Sequence, residues 1–145
     1  MQMFIFSALA FLGFLVSVKL WREHGMVRPM YCPKQFNGGC DIVKHSKYAW
    51  FLGAPVAMWG AIYYLGFILV LSLPYFLPIN LTLNVLSYTE PVMLFLILYP
   101  LLGFVFSLRL LSVQIFKLHA LCFWCLLQSI IASLMFLYSY YIFFN

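Results

Sequence analysis

Four cysteines can do covalent chemistry in this chain, and they fall in two pairs with no cysteine left over. Cys122 and Cys125 form a C-x-x-C at the mouth of the last long apolar run. Their spacing puts them on one helix face, about one turn apart. Free N–H groups at a helix start favour the thiolate, so a pair placed there is tuned for disulfide exchange. Cys125 would lie about 4.5 Å further along the helix axis, where an electron acceptor dissolved in lipid can meet it. Cys32 and Cys40 stand far upstream, with Pro33 and Gly38-Gly39 between them. A loop of that kind can close a disulfide and reopen by exchange. The implied route for electrons runs from a protein dithiol to the loop pair, then to the helix pair, then to a quinone. Three plainer readings stand beside it: small side chains packing in an apolar helix, a structural disulfide in a non-catalytic membrane protein, and a four-thiolate zinc site.

The elements that must position these residues follow from composition. The chain has 145 residues, 66% hydrophobic and only 8% charged, with a mean hydropathy of +1.04. Soluble domains carry roughly 25% charged residues, so this is an integral membrane protein, read as a single domain over residues 1–145. Lys and Arg number 8 against 3 Asp and Glu, a net charge of +5. That is too few for nucleic-acid binding, and the basic residues sit beside expected helix ends, where they meet lipid headgroups.

Residues 3–18 form the first expected span, extended by Leu20 and Trp21, with Lys19 able to snorkel. No basic residues precede it, which argues against a cleaved signal peptide. Residues 22–47 hold most of the polarity, including His24 and His45; Pro29 and Pro33 stop helix there, and Asn37-Gly38-Gly39 signals a turn. Asp41 is expected to cap a short helix over 42–46, with Ile42 and Val43 facing the membrane. This loop reads as an ordered polar lid. A second span is expected over 48–73, with Tyr48 and Trp50 as interfacial anchors and Pro74 to Pro78 ending it. A weakly polar link follows over 80–90. The third span covers 91–108, kinked at Pro100; a turn covers 109–117; the fourth span covers 118–144. The histidines are expected at the interface, with His119 near enough in sequence to assist Cys122. The fold class is therefore an all-α membrane protein, a four-transmembrane-helix bundle capped on one face by the lid. An even number of spans places both cysteine pairs on the same side.

This pattern resembles the vitamin K epoxide reductase family of membrane thiol oxidoreductases. The residues that carry the resemblance are Cys32, Cys40, Ser46, and Cys122 with Cys125, together with the tract from Cys40 to Tyr48, Gly53-Ala54-Pro55 and Gly60. It implies that Cys32 forms a mixed disulfide with a thioredoxin-like carrier protein, that Cys40 passes electrons to Cys122, and that Cys125 faces a quinone such as ubiquinone or menaquinone. Ser46 would lie near the quinone head. The animal epoxide reductases carry a tyrosine where this chain has Ser129, and an asparagine shortly before the glycine matching Gly60 that is missing here. The resemblance therefore points to quinone reduction coupled to disulfide formation rather than to epoxide reduction. Some bacterial members are fused to a thioredoxin domain; this sequence carries none, so a separate partner is expected.

Two arguments about sidedness disagree. Every Lys and Arg lies on the cysteine face or at its helix ends, which by the positive-inside rule puts the cysteines in the cytoplasm. The resemblance puts them on the extracytoplasmic side, where disulfides persist; that side is the expectation adopted.

Overall fold

The computed structural model describes residues 2–27, 29–76 and 89–144, with side chains described over 4–27, 29–72 and 94–144. Arg28 and most of the expected 80–90 link lie outside the described residues. Four long helices dominate: α1 (Gln2–His24), α3 (Val56–Phe76), α4 (Thr89–Val113) and α5 (Phe123–Phe144), with a short α2 (Gly39–Lys44) in the polar loop. Helix α1 packs on α3 and α5, and α4 packs on α5. Three helical stretches are long and apolar enough to cross a membrane, Phe4–His24, Leu94–Leu118 and Phe123–Phe144, while the described apolar part of α3, Val56–Ser72, is shorter. Large apolar side chains such as Phe11, Leu102 and Leu137 point outward, as they must where the solvent is lipid.

Several boundaries differ from the sequence reading. The expected second span starts later, because residues 47–55 form a 3-10 turn (Lys47–Ala49) and a two-residue hairpin, β1 (Trp50–Phe51) on β2 (Ala54–Pro55). Leu52 and Gly53 both have positive φ, 53° and 80°, the backbone that a tight two-residue hairpin turn requires. Trp59 then ties α3 to this hairpin, its indole N–H donating to the Phe51 carbonyl at 3.0 Å. The expected turn over 109–117 is instead helix. No Pro or Gly occurs between Phe104 and Leu118, so α4 continues to Val113 and passes into a π-turn over Gln114–Leu118. His119, at φ 48°, ends it, and α5 begins at Phe123 rather than at Leu118. Asp41 does not cap α2. Gly38 occupies that position without a side-chain bond, and the Asp41 carboxylate instead accepts the Met30 N–H at 3.1 Å. Ile42 is exposed, as a membrane-facing residue would be, but Val43 is buried, because adjacent helical residues do not share a face.

The core lies between α1, α3 and α5, where Phe6, Ala10, Tyr64, Phe67, Leu71, Ile131 and Met135 form one buried cluster. Helices α1 and α3 approach closely at Gly60, where an added Cβ would sit 2.9 Å from Ser17 Oγ; small residues permit such contact in lipid. Pro100 sits inside α4. Having no N–H, it leaves the carbonyl four residues earlier without its helical donor. That carbonyl belongs to Leu96, and the buried Ser139 hydroxyl of α5 donates to it at 2.6 Å. The proline thereby becomes a point of attachment between two helices. Replacing Ser139 by Ala should lower stability by about 1–3 kcal/mol, the cost of a buried acceptor left unpaired. Ser133→Ala should be near neutral by comparison, because that hydroxyl bonds only its own helix, at the Ser129 carbonyl. Thermal unfolding in detergent compares the two; equal losses would refute the assignment.

Candidate active site

The polar loop is held down at several points. Lys44, buried, donates to the Met26 carbonyl at 2.7 Å, and the Trp124 indole N–H of α5 donates to the Tyr31 carbonyl at 2.9 Å. Lys19 of α1 lies 4.0 Å over the Trp124 ring, a cation–π contact that joins α1 to the same anchor. Gly39 packs directly against the Leu121 backbone, and a Cβ there would collide with the Leu121 carbonyl oxygen. The glycine pair thus does more than turn the chain: its second member lets α2 touch the segment leading into α5.

That contact brings the two cysteine pairs together. Cys32 and Cys40 form a disulfide with Cα atoms 5.9 Å apart. The connecting loop folds back through a 3-10 turn (Lys34–Phe36) and two left-handed residues, Asn37 and Gly38. Cys40 is fully buried in one cluster with Leu20, Met30, Val43 and Cys122, against which Cys32 and Cys125 also pack. Cys32 is half-buried, so it is the more accessible sulfur of the disulfide, while Cys40 is a buried member of the same cluster as Cys122.

Cys122 and Cys125 are free thiols. Cys122 lies just ahead of α5, and its carbonyl accepts the Leu126 N–H at 2.9 Å, so it occupies the cap position. Its own N–H donates to the Gln114 side-chain oxygen at 3.2 Å. Gln114 is buried in the π-turn, and its position follows from that turn. The Cys122 thiol is held below its ordinary value: a hydrogen bond from the Cys125 thiol is the main cause, burial opposes it, and the N–H groups of Cys125 and Trp124 add to the lowering. The helix-start effect is therefore present but secondary, and His119, which is exposed, is not among the causes. Cys122 thus ionises more readily than an ordinary thiol, and it shares one buried cluster with a disulfide, the arrangement that favours thiol–disulfide exchange.

Cys125 faces elsewhere. It lines a cavity of about 490 Å³ between the four long helices and the hairpin, whose wall also includes Ser17, His24, Trp59, Phe106 and Gln128. Beside the cavity, Tyr63 and Tyr99 stack at 4.5 Å, and each hydroxyl donates to the other residue's carbonyl at 2.8 Å, fastening α3 to α4. The cavity is apolar with a few polar groups, of the size and character of a small-molecule site. Ser129 lines it too, its hydroxyl donating to the Cys125 carbonyl at 3.0 Å. Ser46 does not line it; its hydroxyl donates to the Val43 carbonyl at 2.8 Å, at the end of α2. The sequence reading missed Gln114, Gln128 and Gly39 as site residues and treated His24 as merely interfacial. An uncharged amide within an otherwise apolar run is the one signal that could have singled out Gln114 and Gln128.

A family model described as the Vitamin K epoxide reductase family matches residues 4–140. The search of curated proteins returned no match.

A lowered Cys122 pKa has a kinetic signature. With the helix pair reduced, alkylation of Cys122 by iodoacetamide should fall only at pH values below the ordinary thiol midpoint of about 8.5. Cys125→Ala removes the main stabilising hydrogen bond, so the midpoint should move upward. Peptide mapping by mass spectrometry across pH reads both; an unchanged midpoint in the variant would contradict the assigned cause.

Proposed function

Since the chain belongs to the vitamin K epoxide reductase family, we propose that it is a membrane thiol oxidoreductase that passes electrons from a thioredoxin-like protein to a quinone, so driving disulfide formation. The observation that carries this reading is the position of Cys122 and Cys125: the first is buried in one cluster with Cys40, and the second lines the cavity. In the proposed sequence, a partner thiolate attacks Cys32, the more accessible sulfur, and displaces Cys40. Cys40 and Cys32 are re-oxidised by exchange with the Cys122–Cys125 disulfide, which becomes a dithiol. Cys122, favoured as the thiolate by the Cys125 hydrogen bond and the first N–H groups of α5, is the exchanging member. Cys125, at the cavity wall, is the exit. A quinone held there would supply a two-electron, two-proton acceptor. We read α3 as a fourth span beside the three helices of spanning length, which places both cysteine pairs on one side. We assign that side as extracytoplasmic, since persistent disulfides belong to oxidising compartments.

The proposed division of labour predicts distinct variants. Cys125→Ala should abolish turnover with quinone. Cys32→Ala should lose oxidation of the partner protein while keeping some turnover with dithiothreitol, which can reach the inner pair directly. The same assay with vitamin K epoxide in place of quinone should show little or no turnover, because the Ser129 hydroxyl is engaged with its own helix and opening an epoxide needs a proton donor at the reacting oxygen. Normal quinone turnover by Cys125→Ala would mean that the relay order is wrong.

Sidedness has its own measurement. A membrane-impermeant maleimide should label reduced Cys32 in intact cells. Labelling only after lysis would assign the cysteines to the cytoplasm, as the positive charges suggest.

A further inference from the structure

Two polar atoms near the cavity are buried without a hydrogen-bond partner among the described residues: the side-chain oxygen of Gln128 and Nε2 of His24. Both residues line the cavity, and the chemistry of each open atom is set by what the rest of its side chain does. Gln128 Nε2 donates to Ser17 Oγ at 2.9 Å, with a longer contact of 3.5 Å to the Gly13 carbonyl. A carbonyl only accepts, so the amide nitrogen must face α1, which leaves Oε1 as the open atom, an acceptor. His24 Nδ1 lies 2.9 Å from the Leu20 carbonyl. By the same argument Nδ1 carries the hydrogen, and in that tautomer Nε2 presents a lone pair. Both open atoms are therefore acceptors in need of a donor, at a cost when unmet.

Ser17, which holds Gln128, and His24 are seven residues apart on one face of α1, roughly 10 Å along the helix. One six-membered ring with a hydroxyl at each end can bridge that span. A ring bearing two carbonyls offers no hydrogen and would set lone pairs against lone pairs. Arg109 also lines the cavity and is a donor, but it is exposed.

We propose that the cavity prefers the reduced, dihydroxy form of its quinone, with Gln128 Oε1 and His24 Nε2 accepting the two hydroxyls. This deepens the reading of the cavity as a quinone site and rests on it. Overall the Cys122–Cys125 dithiol gives up two electrons and two protons as one S–S bond forms, whichever sulfur ionises first. The electron pair enters the ring, and two protons end on its oxygens, creating the two donors that the site lacks. The geometry thus favours the product side of the electron transfer. The corresponding cost is inhibition by quinol.

The experiment measures binding on the fully oxidised protein, which has no electrons to give, using a short-chain ubiquinone and, anaerobically, its quinol. Binding is followed by quenching of tryptophan fluorescence. Quinol should bind about tenfold tighter or more, as expected when buried acceptors gain donors; tenfold corresponds to about 30 mV in the potential of the bound couple. Gln128→Met and His24→Phe should each shrink the ratio by weakening quinol binding while quinone binding is kept, and retained quinone affinity shows that the variant is folded. Equal affinities in the unaltered protein, or a ratio unchanged in both variants, would overturn the proposal. If turnover with quinone is normal but quinol binds no tighter, this inference alone fails. If neither form binds and there is no turnover, the quinone reading fails with it.

Discussion

The close approach of Gly39 to the Leu121 backbone is the constraint on which the site depends. Helix α2 spans only six residues, too short to be stable without tertiary contacts. It is ordered by what it touches: the disulfide behind it, the Asp41 bond to Met30, the Lys44 bond to Met26, and the Leu121 backbone in front. Because no side chain stands between α2 and the entry to α5, Cys40 and Cys122 share one buried cluster. A lid set further out would leave the loop disulfide and the helix thiols as two unrelated features.

A second constraint acts through backbone satisfaction. An apolar environment leaves every unpaired N–H or carbonyl costly, and this chain meets the demand with a few side chains that also build the site. Gln114 takes the Cys122 N–H and so fixes where α5 starts and where its first thiol sits. Ser139 takes the carbonyl freed by Pro100, and the paired tyrosines on α3 and α4 satisfy their own hydroxyls on each other's carbonyls. Gln128 belongs to the same economy of few polar groups, but only half of its amide is used within the protein.

Much of this molecule could be read from residue order alone. Uncharged runs announce helices in lipid, because hydrocarbon excludes charge, and the two cysteine spacings allow a loop disulfide and a thiol pair at a helix start, because a sulfur's reach along a helix or across a short loop is local geometry. The family followed from the same residues. Boundaries were less legible. The run beginning at Tyr48 looks continuous in hydropathy, yet positive φ at Leu52 and Gly53 turns its first part into a hairpin. Arg109 looks like the start of a turn, yet nothing after it breaks a helix before His119.

Only the tertiary structure decided which cysteines share one cluster, which one lines the cavity, and which polar atoms there are left open. Cys40 shares a buried cluster with Cys122 because Gly39 packs on the backbone of Leu121, a residue 82 positions away in sequence. The open acceptors at His24 and Gln128 exist because Leu20, on the same helix, and Ser17, on a different one, occupy their other atoms. Local pattern records which groups a segment carries. Whether a given hydrogen-bonding atom is already satisfied is a property of packing, which becomes determined only when distant segments share one interior.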